Sequence, residues 1–329
     1  MQTTKLFMKL PDYVCTPDGL EPDENGDLIL ACPNYADLSL PSCLCRIDPK
    51  GNIRKWFDIP LNEKTGEARA MGIGFGPDRD IYIVDNQGWT GREDLIRQGR
   101  IIRVRMDGAV IKKVTVVADN MEHPNGLRIK GKYIYVTQST LEKVPGPNGK
   151  LMSCVYKFHL NDENIHITNT LEDKNIIATF VTENPQCQYG VDGIVFDKAG
   201  NLYIGNFGDG EVFKLTLDGD GNVLTKESWA KDPENLKTTD GMTIDKHGNI
   251  YVADFAANAI GKIDPDGKVT RIAQSPDTDG FNGELDQPGE PCVWGDNIIV
   301  SCFDCVTDDY NVNTAHEMPA TLCRLKIEE

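Results

Sequence analysis

Short apolar runs recur along this chain, each followed by a polar turn and another apolar run. In VDGIVFDKAGNLYIGNFGDGEVFKL, from Val191, one run ends at Phe196, DKAGN turns the chain, and LYIGN is apolar again. TDGMTIDKHGNIYVADFAANAIGKI, from Thr239, repeats that order almost residue for residue. Asx-Gly turns between β-branched and aromatic residues predict antiparallel meanders. Helical periodicity is missing apart from about one turn in REDLIRQ.

The same frame recurs six times. Asp18 lies 10 residues before Leu28, Met71 10 before Ile81, and Asn125 9 before Ile134. Asp192 and Asp240 lie 10 before Leu202 and Ile250, and Glu290 lies 8 before Ile298. Start-to-start spacings are 53, 54, 67, 48 and 50 residues. Each copy ends in a third strand, such as SCLCRIDP, GEVFKLTLDG or ATLCRLKIEE. Units of this length predict an all-β fold, a six-bladed β-propeller of four-stranded blades forming one domain over 1–329. The last copy stops after three strands, and Thr3–Leu10 (TTKLFMKL) is expected to supply its missing outer strand. The extra length between Asn125 and Asp192 is expected to elaborate blade 3.

The innermost strand of a propeller blade lines the central channel, so the frame residues stand at one height around the axis. They are Asp18, Met71, Asn125, Asp192, Asp240 and Glu290. Four carboxylates converging on a narrow axis repel one another, and a bound cation removes that conflict. Oxygen donors, including a neutral amide, suit a hard ion such as Ca2+ better than zinc.

Composition narrows the partners. Lys+Arg number 34 against 51 Asp+Glu, a formal net charge of −17. So acidic a surface argues against nucleic acid and anionic membrane. No apolar run approaches the roughly 20 residues of a membrane span, and MQTTKLFMKLPDYV lacks a signal-peptide core. Ten cysteines are irregularly spaced: Cys43-Leu-Cys45 is too close for a zinc knuckle, and Cys302-Phe-Asp-Cys305 has no second pair. Cys32, Cys154 and Cys323 read as small apolar strand residues. Free thiols in this number suit a reducing compartment, so a cytoplasmic location is expected.

HPNGL, VDGIVFDKAGNLYIGNFGDG and TDGMTIDKHGNIYVADF carry a resemblance to the SMP-30/gluconolactonase-like six-bladed propellers, extending over essentially the whole chain. Paraoxonase and diisopropylfluorophosphatase propellers are more distantly similar. The resemblance implies a divalent metal, commonly calcium, on Asp18, Asn125, Asp192 and Asp240. Asp18 stands where the family has a Glu and Asp192 where Asn is usual; Glu21 is the alternative to Asp18. The arginine that some sugar-lactone relatives place before blade 3 is replaced by Glu122 and His123, so sugar specificity does not transfer.

The expected chemistry is metal-dependent hydrolysis of a small neutral lactone or ester in the channel. Asp240, by resemblance, or Glu290, by position, would take the water proton. His123 is a candidate substrate contact or proton carrier, and Met71 and Glu290 are candidate substrate contacts. His159 and His166 read as surface or packing residues, His247 as solvated, and His316 as part of a long loop. No G-x-S-x-G elbow is present, and DGDGN at 218–222 reads as a hairpin turn. Two rival readings are a non-catalytic NHL-type binding propeller and a metal-free strictosidine-synthase-like condensing propeller. Tight calcium binding distinguishes the first, and insensitivity to chelator the second.

Overall fold

The computed structural model describes residues 1–108, 110–307 and 309–327. Six antiparallel sheets stand in a ring, each meandering outward from the axis. Their innermost strands are Leu20–Pro22, Ala70–Phe75, Pro124–Lys130, Val191–Phe196, Met242–Ile244 and Pro288–Trp294. Among the described residues, the helical segments are four three-residue 3₁₀ turns. REDLIRQ forms turns rather than a helix.

The second strands read as unbroken apolar runs because both their faces are buried. In Leu28–Cys32 every residue is buried. Leu28, Leu30 and Cys32 pack toward blade 6, while Ile29 and Ala31 pack toward blade 2. Each neighbouring pair of blades encloses a cluster of this kind, so the core is six sandwiches arranged in a circle.

Polar turns are held by their first aspartate. Asp197 Oδ1 accepts the backbone N–H groups of Gly200 and Asn201, and Asp245 Oδ1 those of His247 and Asn249. DGDGN is built the same way, with Asp218 Oδ1 accepting from Asp220 and Asn222. Blades 1, 4 and 5 thus spend one aspartate on the first turn (Asp23, Asp197, Asp245) and keep another for the axis (Asp18, Asp192, Asp240).

The ring closes as expected from Thr3–Leu10. Lys5–Lys9 pairs antiparallel with Thr321–Lys326, Lys5 opposite Arg324 and Lys9 opposite Thr321. One expectation needs correcting. The insertion between Asn125 and Asp192 serves blade 2 as well as blade 3, because Ile165–His166 pairs in parallel with Val110–Met121. That twelve-residue strand would otherwise leave its outer edge uncovered, and the insertion caps it there.

Candidate functional site

Two backbone devices bring the frame side chains to the axis. The first is a slip in register at the start of the innermost strand. It falls between Ala70 and Ile73, Pro124 and Leu127, Val191 and Ile194, and Pro288 and Pro291. Met71, Asn125, Asp192 and Glu290 sit in these slips, which re-aim a side chain out of the pleat. The second device is the glycine that follows. A Cβ on Gly19 would lie 2.4 Å from the Met71 carbonyl oxygen, on Gly72 2.4 Å from that of Asn125, on Gly126 2.6 Å from that of Asp192, and on Gly193 2.2 Å from that of Asp240. Only a residue without a side chain lets neighbouring blades approach so closely.

Asp18, Asn125, Asp192 and Asp240 come together as a partition across the channel. All four line a cavity of about 210 Å³ on the mouth side. The same four line the constriction beneath it, of about 10 Å³. All are nearly inaccessible, with 6, 6, 3 and 9 % exposure. Asn125 Nδ2 donates to Asp192 Oδ2 at 2.5 Å. Burial pushes Asp18 up to about 8, helped by the charge of Glu290. Asp192 and Asp240 are hydrogen-bonded to each other and both lie well above the usual carboxylate range. Burial is the main cause, with neighbouring carboxylates adding to it. No Lys, Arg or His lines the mouth-side cavity among the described residues.

The cavity walls are aromatic. Phe207, Phe255 and Phe303 follow the second strands of blades 4, 5 and 6 at the same register. Their ring centroids are 5.7 Å and 5.6 Å apart in succession. Trp89 continues the wall 5.3 Å from Phe303, and Tyr189 does so 5.3 Å from Phe207. Thr307 and Asn311, from the long blade 6 loop, complete the rim.

Residues 211–280 match the model of the SMP-30/Gluconolactonase/LRE-like region. A luciferin-regenerating enzyme has the same fold at TM-score 0.65 and 14 % identity, over 98 % of this chain and 94 % of that one. A gluconolactonase from Xanthomonas campestris superposes at TM-score 0.63 and 13 % identity, over 99 % and 96 %. Regucalcin from Agrobacterium tumefaciens, described as a calcium-binding protein, does so at 0.62 and 14 %, over 98 % and 93 %. The chain is a six-bladed β-propeller with a stretch similar to the SMP-30/gluconolactonase/LRE-like region. No curated protein sequence matches it.

The remaining frame residues of the propeller divide between the two sides of the partition. Met71 lines the mouth-side cavity. Glu290 lines only the constriction, where Arg128 Nη2 donates to its Oε1 at 2.8 Å. Burial still pushes Glu290 up to about 7, against the pull of Arg128. Glu21 lines neither space; it lies close enough to Arg128 for that charge to oppose the rise burial causes in it. His123 stands behind the wall, its ring edge-on to Tyr189 at 6.2 Å. Burial lowers it to about 4, and its Nδ1 is buried without a partner.

Sequence reading overlooked Arg128 and the aromatic wall. The wall had a signal, since LYIGNF, IYVADF and IIVSCF each end in Phe. It also judged Cys43-Leu-Cys45 by spacing alone. In blade 1 Cys32 is the cross-strand partner of Cys43, and the Cys32, Cys43 and Cys45 sulfurs lie within 4.8 Å of one another. All ten cysteines are buried, and no helix among the described residues is long and apolar enough to cross a membrane.

Proposed function

We propose that this propeller is a calcium-dependent hydrolase that opens a small neutral lactone in the mouth-side cavity. The observation that carries the reading is the partition itself: three buried carboxylates and an amide, from four blades, with no basic side chain on their mouth side among the described residues. Such a donor set fits a hard divalent cation, and its uncompensated charge calls for one. The fold alone selects no reaction. The family match and the likeness to a protein described as gluconolactonase support the hydrolytic choice.

Asp18, Asn125, Asp192 and Asp240 would hold the ion. When bound it would polarise the substrate carbonyl and make a nearby water more acidic. Asp240 takes the proton as the water oxygen bonds to the acyl carbon. The ring carbon–oxygen bond then breaks, and Asp240 returns the proton to the departing alkoxide oxygen. The product is a hydroxy acid, with every atom drawn from lactone and water. Phe207, Phe255, Phe303 and Trp89 exclude solvent and pack on the faces of the ring. About 210 Å³ is some seven times the ~30 Å³ share of one water, enough for a compact five- or six-membered ring. The anionic floor turns away phosphates and other multiply charged substrates. Glu290 is held below the partition by Arg128, whose Nη2 also donates to the Met242 carbonyl oxygen of blade 5, and it does not line the mouth-side cavity.

The test is a panel of γ- and δ-lactones offered to chelator-treated protein before and after calcium is restored. Turnover that appears with calcium supports the reading. Turnover that ignores the chelator, or none on any lactone with calcium bound, overturns it.

A further inference from the structure

In the blade 6 loop, residues 303–307 and 309–320 fold back against the segment 275–287 that leads into the blade. Asp286, Asp304 and Glu317 each bring a carboxylate oxygen within 4.8 Å of the others. Asp286 is 1 % exposed, and Asp304 and Asn313 2 % each. Asp304 is partly satisfied: its Oδ2 accepts the Glu317 N–H at 2.9 Å, and its Oδ1 faces Asn313 Nδ2 at 3.3 Å. The others are not. Asp286 Oδ1, Glu317 Oε2 and Asn313 Oδ1 are buried acceptors without a hydrogen-bond partner.

Three orphaned oxygens in one dry place are destabilising unless something positive meets them. The nearest cationic candidate is His316, whose Nδ1 lies 3.2 Å from Asp304 Oδ2 and 2.6 Å from the Asp304 carbonyl oxygen. Both of those contacts are to Asp304, so they leave the Asp286 and Asn313 oxygens unanswered. Burial, and after it the charge of Asp304, pushes Asp286 up to about 9.

We propose that Asp286, Asp304, Asn313 and Glu317 form a second calcium site, outside the channel, that pins the blade 6 loop. The donors are all oxygens, three carboxylates and one amide carbonyl, the set a hard cation prefers. Asn313 already points its Nδ2 at Asp304, which leaves Oδ1 free to ligate. The pinned loop carries Phe303, Thr307 and Asn311, which form one side of the mouth-side cavity. This site stands whether or not the channel holds a metal, since none of its residues lines the channel.

Calcium chloride alone is the probe, added to the full chain after chelation. Two readouts are needed: bound calcium by elemental analysis after equilibrium dialysis, and the rate of chymotryptic cleavage after Tyr310. With calcium at ten times its dissociation constant, loop opening and cleavage should fall about tenfold. Asp192→Ala, which alters the channel, should keep this protection. Asp286→Asn combined with Glu317→Gln should lose one calcium per chain and cleave at a rate calcium no longer changes. If that double variant fails to fold, the Asp192→Ala protein decides alone. The proposal is overturned if calcium leaves wild-type cleavage unchanged, if Asp192→Ala abolishes the protection, or if the folded double variant binds as much calcium as wild type. In those cases a protonated Asp286 and a charged His316 hold the loop instead.

Discussion

The channel holds buried carboxylates on both sides of its partition, yet it neutralises them differently. Below, Glu290 is matched by Arg128 from the facing blade, so the chain supplies its own counter-charge. At the partition, Asp18, Asp192 and Asp240 face the cavity with only the Asn125 amide between them. A buried pair is closed to newcomers, whereas a buried cluster of one sign is an open valence. The lower half therefore reads as structure and the upper half as a binding site, and Glu290 reaches the lower one because it stands one residue past the frame position that Gly289 fills.

The largest effect should come from removing basicity on the open side. Asp240→Asn keeps an oxygen ligand but gives up the base, and kcat on a responsive lactone should fall by roughly 10²–10⁴ with bound calcium retained. Glu290→Gln should cost far less. Turnover and metal stoichiometry measured on both variants check this, and the reverse order would move the base below the partition.

The two halves should also differ in how calcium affects their variants. Arg128→Met leaves Glu290 buried and unpaired, a loss of about 3–5 kcal/mol that calcium should not repair. Asp192→Asn relieves like-charge crowding and keeps an oxygen ligand, so it should stabilise the chelated protein and shrink its response to calcium without abolishing it. Denaturant unfolding of each variant, with and without calcium, separates the cases. Rescue of Arg128→Met by calcium would mean that both halves share one ion.

Acidity sharpens the contrast further. Asp18 and Glu290 are raised in the folded state to about 8 and about 7. Between their ordinary values and these, the folded chain binds more protons than the unfolded one. Stability of the chelated protein should therefore fall as pH rises from about 5 to 8, by at most about 1.4 kcal/mol per pH unit for each group. Calcium should flatten that slope, and melts across the range at fixed calcium test it.

The smallest effect concerns the scaffold that both halves share. Gly193→Ala would press a methyl against the Asp240 carbonyl, and the expected loss is about 1–3 kcal/mol by chemical denaturation. A neutral result would mean that the blades can part at the axis without harm.

The ring was legible because repetition multiplies a weak signal. One Asp-Gly before a strand is ordinary turn chemistry, while five frame positions in register fix an axis and name the residues on it. In blade 6 strand pairing puts Gly289 at that position and Glu290 one residue past it, on the far side of the partition. What stayed hidden depended on contacts the frame does not encode. Arg128 meets Glu290 across 162 residues, and nothing local marks either as a partner. Ile165–His166 is too short for periodicity to register as a strand, and its parallel pairing with blade 2 follows from a neighbour's exposed edge. Cys32 joins Cys43 and Cys45 only because adjacent strands place it opposite. The three phenylalanines were visible in the repeat, but their role depends on all three converging at one rim.

Glycine contacts at the axis have an evolutionary consequence. Because Gly19, Gly72, Gly126 and Gly193 set how closely the inner strands approach, the bore is fixed by backbone rather than by the side chain one position earlier. Aspartate, methionine and asparagine already occupy that earlier position in different blades. A duplicated blade can therefore inherit the architecture intact and exchange its chemistry through a single codon. In such a ring, new specificities can arise by editing one letter beside a letter that must not change.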